Sequence, residues 1–264
     1  MTHISVPGVD LWVDQAGSGD DVVFIAGLAD EGSCWAGQAA ELSDSYRVTT
    51  FDNRAVGRSS TPDGDYHIVD FAEDTAALLP ALGISRAHVV GSSMGGAIAQ
   101  ELVLRHPDLV RSLVLHGTWC ASDRHFREAV RGWQMLARGA LTPHDFFVAV
   151  NVWFLAPYIY NDGTIDDWAA GADGNPHAQT VDAFCRSAEA LLAHDTRDRL
   201  HEISCPTLVT VGSLDICTPE RFARQLVELI PGAGLHIFEG AGHMPYIEDP
   251  PSFTAVLRKF LRDT

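Results

Sequence analysis

Short, β-branched apolar runs alternate along this chain with longer stretches of helical period, which is the pattern of a largely parallel sheet covered by crossover helices. The runs Val22 to Ala26, Arg47 to Asp52, Ala87 to Gly91, Ser112 to His116, Thr207 to Gly212 and Leu235 to Glu239 are mostly apolar on both faces, as fully covered strands require. Two more, Ile4 to Val6 and Val9 to Gln15, flank Pro7-Gly8 and predict an opening hairpin. Helices are predicted over Trp35 to Leu42, Val69 to Leu82, Met94 to Arg105, Pro219 to Ile230 and Pro251 to Leu261.

The alternation stops between Gly117 and Pro206, where only helical-looking stretches occur. The segment is too long for a simple crossover. It predicts an α/β core from residues 1–118 and 205–264 with a helical cap, residues 119–204, inserted between them. The cap is rich in aromatics, among them Trp119, Phe126, Trp133, Phe146, Phe147, Trp153 and Phe154. A thin helical layer needs large side chains to build any core, and rings between two layers also suit a ligand pocket. Trp119 and Trp153 are expected at such a pocket, together with Gly27.

At 264 residues the chain can bury a sizeable core without staples, since roughly three-quarters of the unfolded surface disappears at this size. Its five cysteines are scattered and lack any Cys-x-x-Cys pair, which argues against a disulfide framework or zinc site. A net charge of -17 repels phosphate backbones and anionic membranes, so no nucleic acid or membrane partner is expected. Lys259 is the single lysine and lies in the C-terminal segment, which leaves a lysine Schiff base nowhere to sit. With no basic leader, no apolar stretch at the start and no run near ~18 apolar residues, the expectation is a cytoplasmic protein.

Chemistry concentrates after three of the strands. Gly91-Ser92-Ser93-Met94-Gly95 stands between a strand and a helix, the setting of a nucleophile elbow, and its register makes Ser93 the nucleophile. A serine hydroxyl needs a base, and the base an orienting acid. Asp215 follows the strand Thr207 to Gly212, and His243 follows Leu235 to Glu239. Loops at the carboxyl ends of parallel strands share one edge of the sheet, so the three side chains can converge there. Alone, Asp215 would read as a turn or capping aspartate before Pro219. Two N–H donors are needed for a tetrahedral oxyanion, and the backbone amides of Met94 and Leu28 are the expected pair.

With these motifs in order, the chain resembles the α/β-hydrolase superfamily along essentially its whole length. Asp52-Asn53-Arg54-Ala55-Val56-Gly57-Arg58-Ser59 is similar to a structural turn of that family, with Ala55 in place of a glycine; at Ala26-Gly27 many members carry His-Gly. The stretch Ala26 to Trp35 is similar in spacing to the corresponding loop of 3-oxoadipate enol-lactonases and related esterases. The resemblance implies hydrolysis of a carboxylic ester or lactone, without metal or cofactor. An acidic chain with an aromatic cap favours a neutral, bulky or cyclic small molecule. Two alternatives use the same residues: carbon–carbon bond hydrolysis or cofactor-free perhydrolysis, and a non-catalytic small-molecule receptor. Oligomeric state is not encoded in any of these features.

Overall fold

The computed structural model describes residues 1–264. The hairpin of β1 (Thr2–Val6) and β2 (Val9–Gly17) leads into β3 (Asp20–Ile25), α1 (Ala36–Leu42), β4 (Tyr46–Phe51), α2 (Ile68–Ala81), β5 (Ala87–Ser92), α3 (Met94–Arg105) and β6 (Val110–His116). Five helices follow without an intervening strand: α4 (Arg124–Gly139), α5 (Pro143–Asn151), α6 (Pro157–Asn161), α7 (Thr164–Ala169) and α8 (Val181–Leu192). The chain then returns through β7 (Thr207–Gly212), α9 (Glu220–Leu229), β8 (Gly234–Phe238), α10 (Pro245–Glu248) and α11 (Pro250–Arg262). All eight strands form one sheet in the order β1-β2-β4-β3-β5-β6-β7-β8. Pairing is parallel from β4 to β8, and only the hairpin and its junction with β4 are antiparallel.

The period of two along the strands divides the core into two layers. Val23 and Ile25 of β3 join Val89, Leu113 and Leu115 beneath α2 and α3, while Val22 and Phe24 join Val48, Val90 and Val114 on the opposite face. There Trp35, fully buried, stacks on Tyr246 at 4.3 Å between centroids and lies 4.9 Å from Phe24. Burying a ring of this size stabilises by about 2 to 3 kcal/mol, and this one fastens α1 to the C-terminal helices.

Strand boundaries differ from the apolar runs where polar residues carry the ladder. β3 begins at Asp20 because Asp20 and Asp21 pair with Tyr46 and Arg47, and the Arg47 guanidinium donates two hydrogen bonds to the Asp21 carboxylate at 2.5 and 2.9 Å. β6 begins at Val110, opposite Ala87, through a register irregularity next to His88. Apolar periodicity does not reach Asp20 and Asp21, and the charged Arg111 separates Val110 from the run that begins at Ser112.

The turn after β4 is a structural brace. Ala55 has φ 63°, left-handed backbone that explains why glycine suits this position in the related turn. Arg54 Nε and Nη2 each donate to the Asp74 carboxylate at 2.7 Å, and the guanidinium also lies 5.6 Å from the rings of Tyr66 and Phe71. Both partners are largely buried, at 13% and 5% side-chain exposure, so removing one strands a desolvated charge. Asp74→Ala is expected to lower the free energy of unfolding by about 3 kcal/mol, measured as a reduced urea midpoint; a loss within about 0.5 kcal/mol, the scale of an exposed pair, would contradict it.

Candidate active site

Ser93 stands at the junction of β5 and α3 with φ 55° and ψ -117°, a conformation that costs a residue with a Cβ on the order of 1 to 3 kcal/mol. Close packing enforces it. A Cβ on Gly91 would overlap the carbonyl oxygen of Gly95, and one on Gly95 would overlap the carbonyls of Ile25 and Ala26 at the end of β3. The bend is hydrogen-bonded on both sides: Ser93 N–H donates to His116 O at 2.9 Å, and Thr118 Oγ1 donates to Ser93 O at 2.8 Å. Ser93 Oγ is left without a partner, facing a cavity of about 220 Å³.

Asp215 lies in the loop after β7, and His243 in the loop after β8. His243 Nδ1 and Asp215 Oδ2 are 2.7 Å apart, and both side chains are buried. The other carboxylate oxygen accepts from the backbone N–H groups of Cys217 and Thr218, each at 2.8 Å. The turn role and the histidine-orienting role of this aspartate therefore coexist, one on each oxygen. Thr218, which no sequence motif singled out, donates its hydroxyl to Asp215 Oδ2 at 2.8 Å and lies 3.1 Å from His243 Nδ1. Gly117 makes room for the pair, since a Cβ there would stand 3.0 Å from the imidazole.

The electrostatics of the pair follow from burial and charge. Burial opposes ionisation of both groups, but the Asp215 charge and hydrogen bond outweigh it at His243, whose pKa is raised above its ordinary 6.5. At Asp215 burial is likewise outweighed, by the His243 charge and hydrogen bonds, and the carboxyl titrates below its usual range. His116, beneath the pair, is fully buried and pushed down to about 4 chiefly by desolvation, so it is neutral. Its Nε2 lies 3.0 Å from the carbonyl oxygen of His243 and its Nδ1 2.8 Å from Thr210 Oγ1, a bracing role beneath the site. Cys217 completes a close group with Asp215 and His243, but burial, then the neighbouring Asp215 charge, push its thiol well above its ordinary range. A protonated thiol is a poor metal ligand.

His243 Nε2 is buried and makes no hydrogen bond, and Ser93 shares a cavity wall with His243 without a hydrogen bond between them. Contacts of this kind commonly tighten only when substrate is bound. Leu28 lines the same cavity, and its backbone N–H donates to no protein acceptor. Met94 opens α3, where the first N–H groups have no intrahelical partner. Gly27 lies beside Ser93, a Cβ there being 3.5 Å from Ser93 Cβ. Together these groups could transfer an acyl group: a hydroxyl, an imidazole oriented by a carboxylate, and free amides on one side of a largely apolar chamber.

The two tryptophans expected at the pocket are placed elsewhere. Trp119 is fully buried, with its ring 4.4 Å from Phe126 and its Nε1–H donating to Ser122 Oγ at 3.0 Å. Trp153 packs against the core near Trp133 and does not line the cavity. The Trp119 N–H finds its acceptor in Ser122, which holds that ring in the packing, whereas Trp133 lines the chamber with its own Nε1–H unpartnered. The rings that do line it include Phe126, Trp133, Phe146, Phe147, Phe154 and Phe184. Sequence reasoning located the aromatic segment but not these particular faces, and the phenylalanines, having no polar atom to satisfy, are the chemically consistent lining.

A family model for the alpha/beta hydrolase fold matches residues 21–250. The chain is 32% identical over 250 residues to "Putative carbamate hydrolase RutD" of a Caulobacter species, covering 91% of this chain and 90% of that protein. It is 31% identical to "Putative non-heme bromoperoxidase BpoC" of Mycobacterium tuberculosis, covering 96% and 97% of the two chains. The crystal structure of the enol-lactonase from Burkholderia xenovorans LB400 superposes with a TM-score of 0.89 at 27% identity, over 99% of this chain and 100% of that one. A strained bend at Ser93 between strand and helix, a buried carboxylate–imidazole pair at the same sheet edge and a family match over most of its length lead to one conclusion: the chain belongs to the α/β-hydrolase family.

Proposed function

We propose that this hydrolase cleaves a carboxylic ester or lactone through an acyl-enzyme, with Ser93, His243 and Asp215 as its catalytic triad. The supporting observation is the 2.7 Å contact between the buried Asp215 and His243, which shares a cavity wall with Ser93. Ser93 Oγ attacks the carbonyl carbon as His243 Nε2 takes its proton, while Asp215 holds the imidazole in the tautomer that presents Nε2 as acceptor. The tetrahedral oxyanion is stabilised by the N–H groups of Leu28 and Met94, each donor being worth on the order of 3 kcal/mol of barrier. Collapse breaks the bond to the alkoxy oxygen, which leaves with the proton from His243. Water then attacks the acyl-enzyme, giving its proton to His243, and Ser93 is regenerated as the acid is released. In a lactone the leaving alcohol stays tethered to the acyl chain, and the helical layer, proposed as a cap over residues 119–204, encloses the opened product.

Likeness to a protein named as a carbamate hydrolase favours a second reading, in which the same attack falls on a carbamate carbonyl. Side-by-side turnover of 4-nitrophenyl esters, lactones and carbamates separates the two. Absence of turnover with tight ligand binding would favour a receptor.

Ser93→Ala is expected to lower kcat by about 10⁴-fold or more while circular dichroism and Tm stay essentially unchanged; retained activity would remove Ser93 from the mechanism. Asp215→Asn leaves the shape of the site but favours the wrong imidazole tautomer, and kcat should fall by about 10⁴-fold. His243 acts as base only when neutral and its pKa is raised, so kcat/KM should decline toward acid with a midpoint above pH 6.5. A midpoint at or below that value in steady-state assays would contradict the assigned base.

A further inference from the structure

Asp30 occupies the turn after β3, two residues beyond Leu28, and the mechanism above does not use it. Its side chain lines both the chamber that holds Ser93 and a larger outer chamber of about 520 Å³ between α4, α5, α7 and the turn after β4. It therefore stands where the two spaces meet. The geometry is close to the reacting centre: a Cβ built on Gly27 would lie 2.8 Å from Asp30 Oδ2 and 3.5 Å from Ser93 Cβ, so carboxylate and nucleophile flank the same glycine.

The neighbouring acids already have partners. Asp52 accepts from the N–H groups of Gly32 and Arg58, and Glu31 accepts from Asn175 Nδ2. The Asp30 carboxylate accepts no hydrogen bond from the protein, and no arginine or lysine lines either chamber. The Asp30 side chain is part-buried at the junction of the chambers, and a ligand that brings a cationic donor there gains a charge-assisted hydrogen bond. Desolvation raises this carboxyl to about 6, partly offset by the nearby His243, so it is still mostly ionised near pH 7.5. An anionic ligand would meet this charge with no cationic side chain of arginine or lysine to compensate it.

We propose that Asp30 is a specificity-determining residue that selects substrates bearing a protonated amine near the scissile carbonyl and disfavours those bearing a carboxylate. This rests on the hydrolase reading of the Ser93 cavity. The ammonium donates to Asp30 at the junction of the chambers, the apolar portion fills the phenylalanine-lined space, and the carbonyl lies toward Ser93.

Binding tests the idea without turnover. Ser93→Ala protein is titrated calorimetrically at pH 7.5 with 3-phenylpropylamine, 3-phenylpropanol and 3-phenylpropanoate. The amine is expected to bind at least tenfold tighter than the alcohol, and the carboxylate weakest of the three. Adding Asp30→Asn should bring amine and alcohol within about threefold, whereas Asp30→Glu, which keeps the charge, should retain a clear amine preference; Asp30→Ser serves if Asn is not tolerated. Equal binding of amine and alcohol in the parent, or a preference that survives loss of the charge, overturns the proposal. Hydrolysis of 4-nitrophenyl acetate by protein with Ser93 intact is measured separately. Amine selectivity with no turnover of that ester or of the lactones and carbamates above would support the Asp30 site and reject the ester and lactone reading, and turnover without selectivity would do the reverse.

Discussion

The backbone bend at Ser93 is the constraint on which the rest of the site depends. A left-handed φ at a residue with a side chain is held only where surrounding packing over-determines it. Here the close contacts beneath Gly91 and Gly95 supply that packing, and they also press α3 against the end of β3. The same contact positions the Leu28 turn next to Ser93. One local strain thus sets the relative placement of a hydroxyl and the helix N-terminus next to it, at Ser93 and Met94, and of a loop amide some 65 residues earlier in the chain, at Leu28.

On the reading proposed above, the second requirement is a base whose orientation survives burial. Asp215 meets it by dividing its oxygens, one engaged by the backbone of its own turn and the other by His243 and Thr218. His116 and Thr210 extend the support into the sheet. Above the pair, Phe154 lies 5.4 Å from the imidazole and 5.1 Å from Trp133, so the side of His243 away from the sheet is walled by rings. Such a dry wall strengthens the carboxylate–imidazole attraction and leaves an unpaired group such as Asp30 conspicuous.

Much of this was legible because it is local. β-branched runs mark the strands, and the loops that carry Ser93, Asp215 and His243 begin where those runs end. Small residues around Ser93 announce the bend within five positions. What escaped was tertiary in origin. Trp119 and Phe126 are equivalent in an apolar pattern, yet the indole N–H sends the first to Ser122 and leaves the second free to line a cavity. Thr218 is an unremarked hydroxyl in the sequence, and its value arises only when His243, 25 positions away, packs over it. Asp30 reads as an ordinary turn residue until the chain opposite it is known to offer no cation. Polar strand ends such as Asp20 and Asp21 were missed for a related reason, since their partners lie on another strand.

The backbone N–H of His243 donates to Phe154 O at 2.7 Å, and Glu248 accepts from both Gly242 N–H and Ala156 N–H at 2.8 and 3.3 Å. The roof and the imidazole are thus stitched together, by one main-chain bond and by the Glu248 carboxylate that bridges two backbone N–H groups, rather than merely juxtaposed. Hinging the roof upward as one plate would drag the imidazole from its seat, so on the proposed reading reactants and products pass sideways, through the chamber lined by α5 and α7, with the stitching left in place.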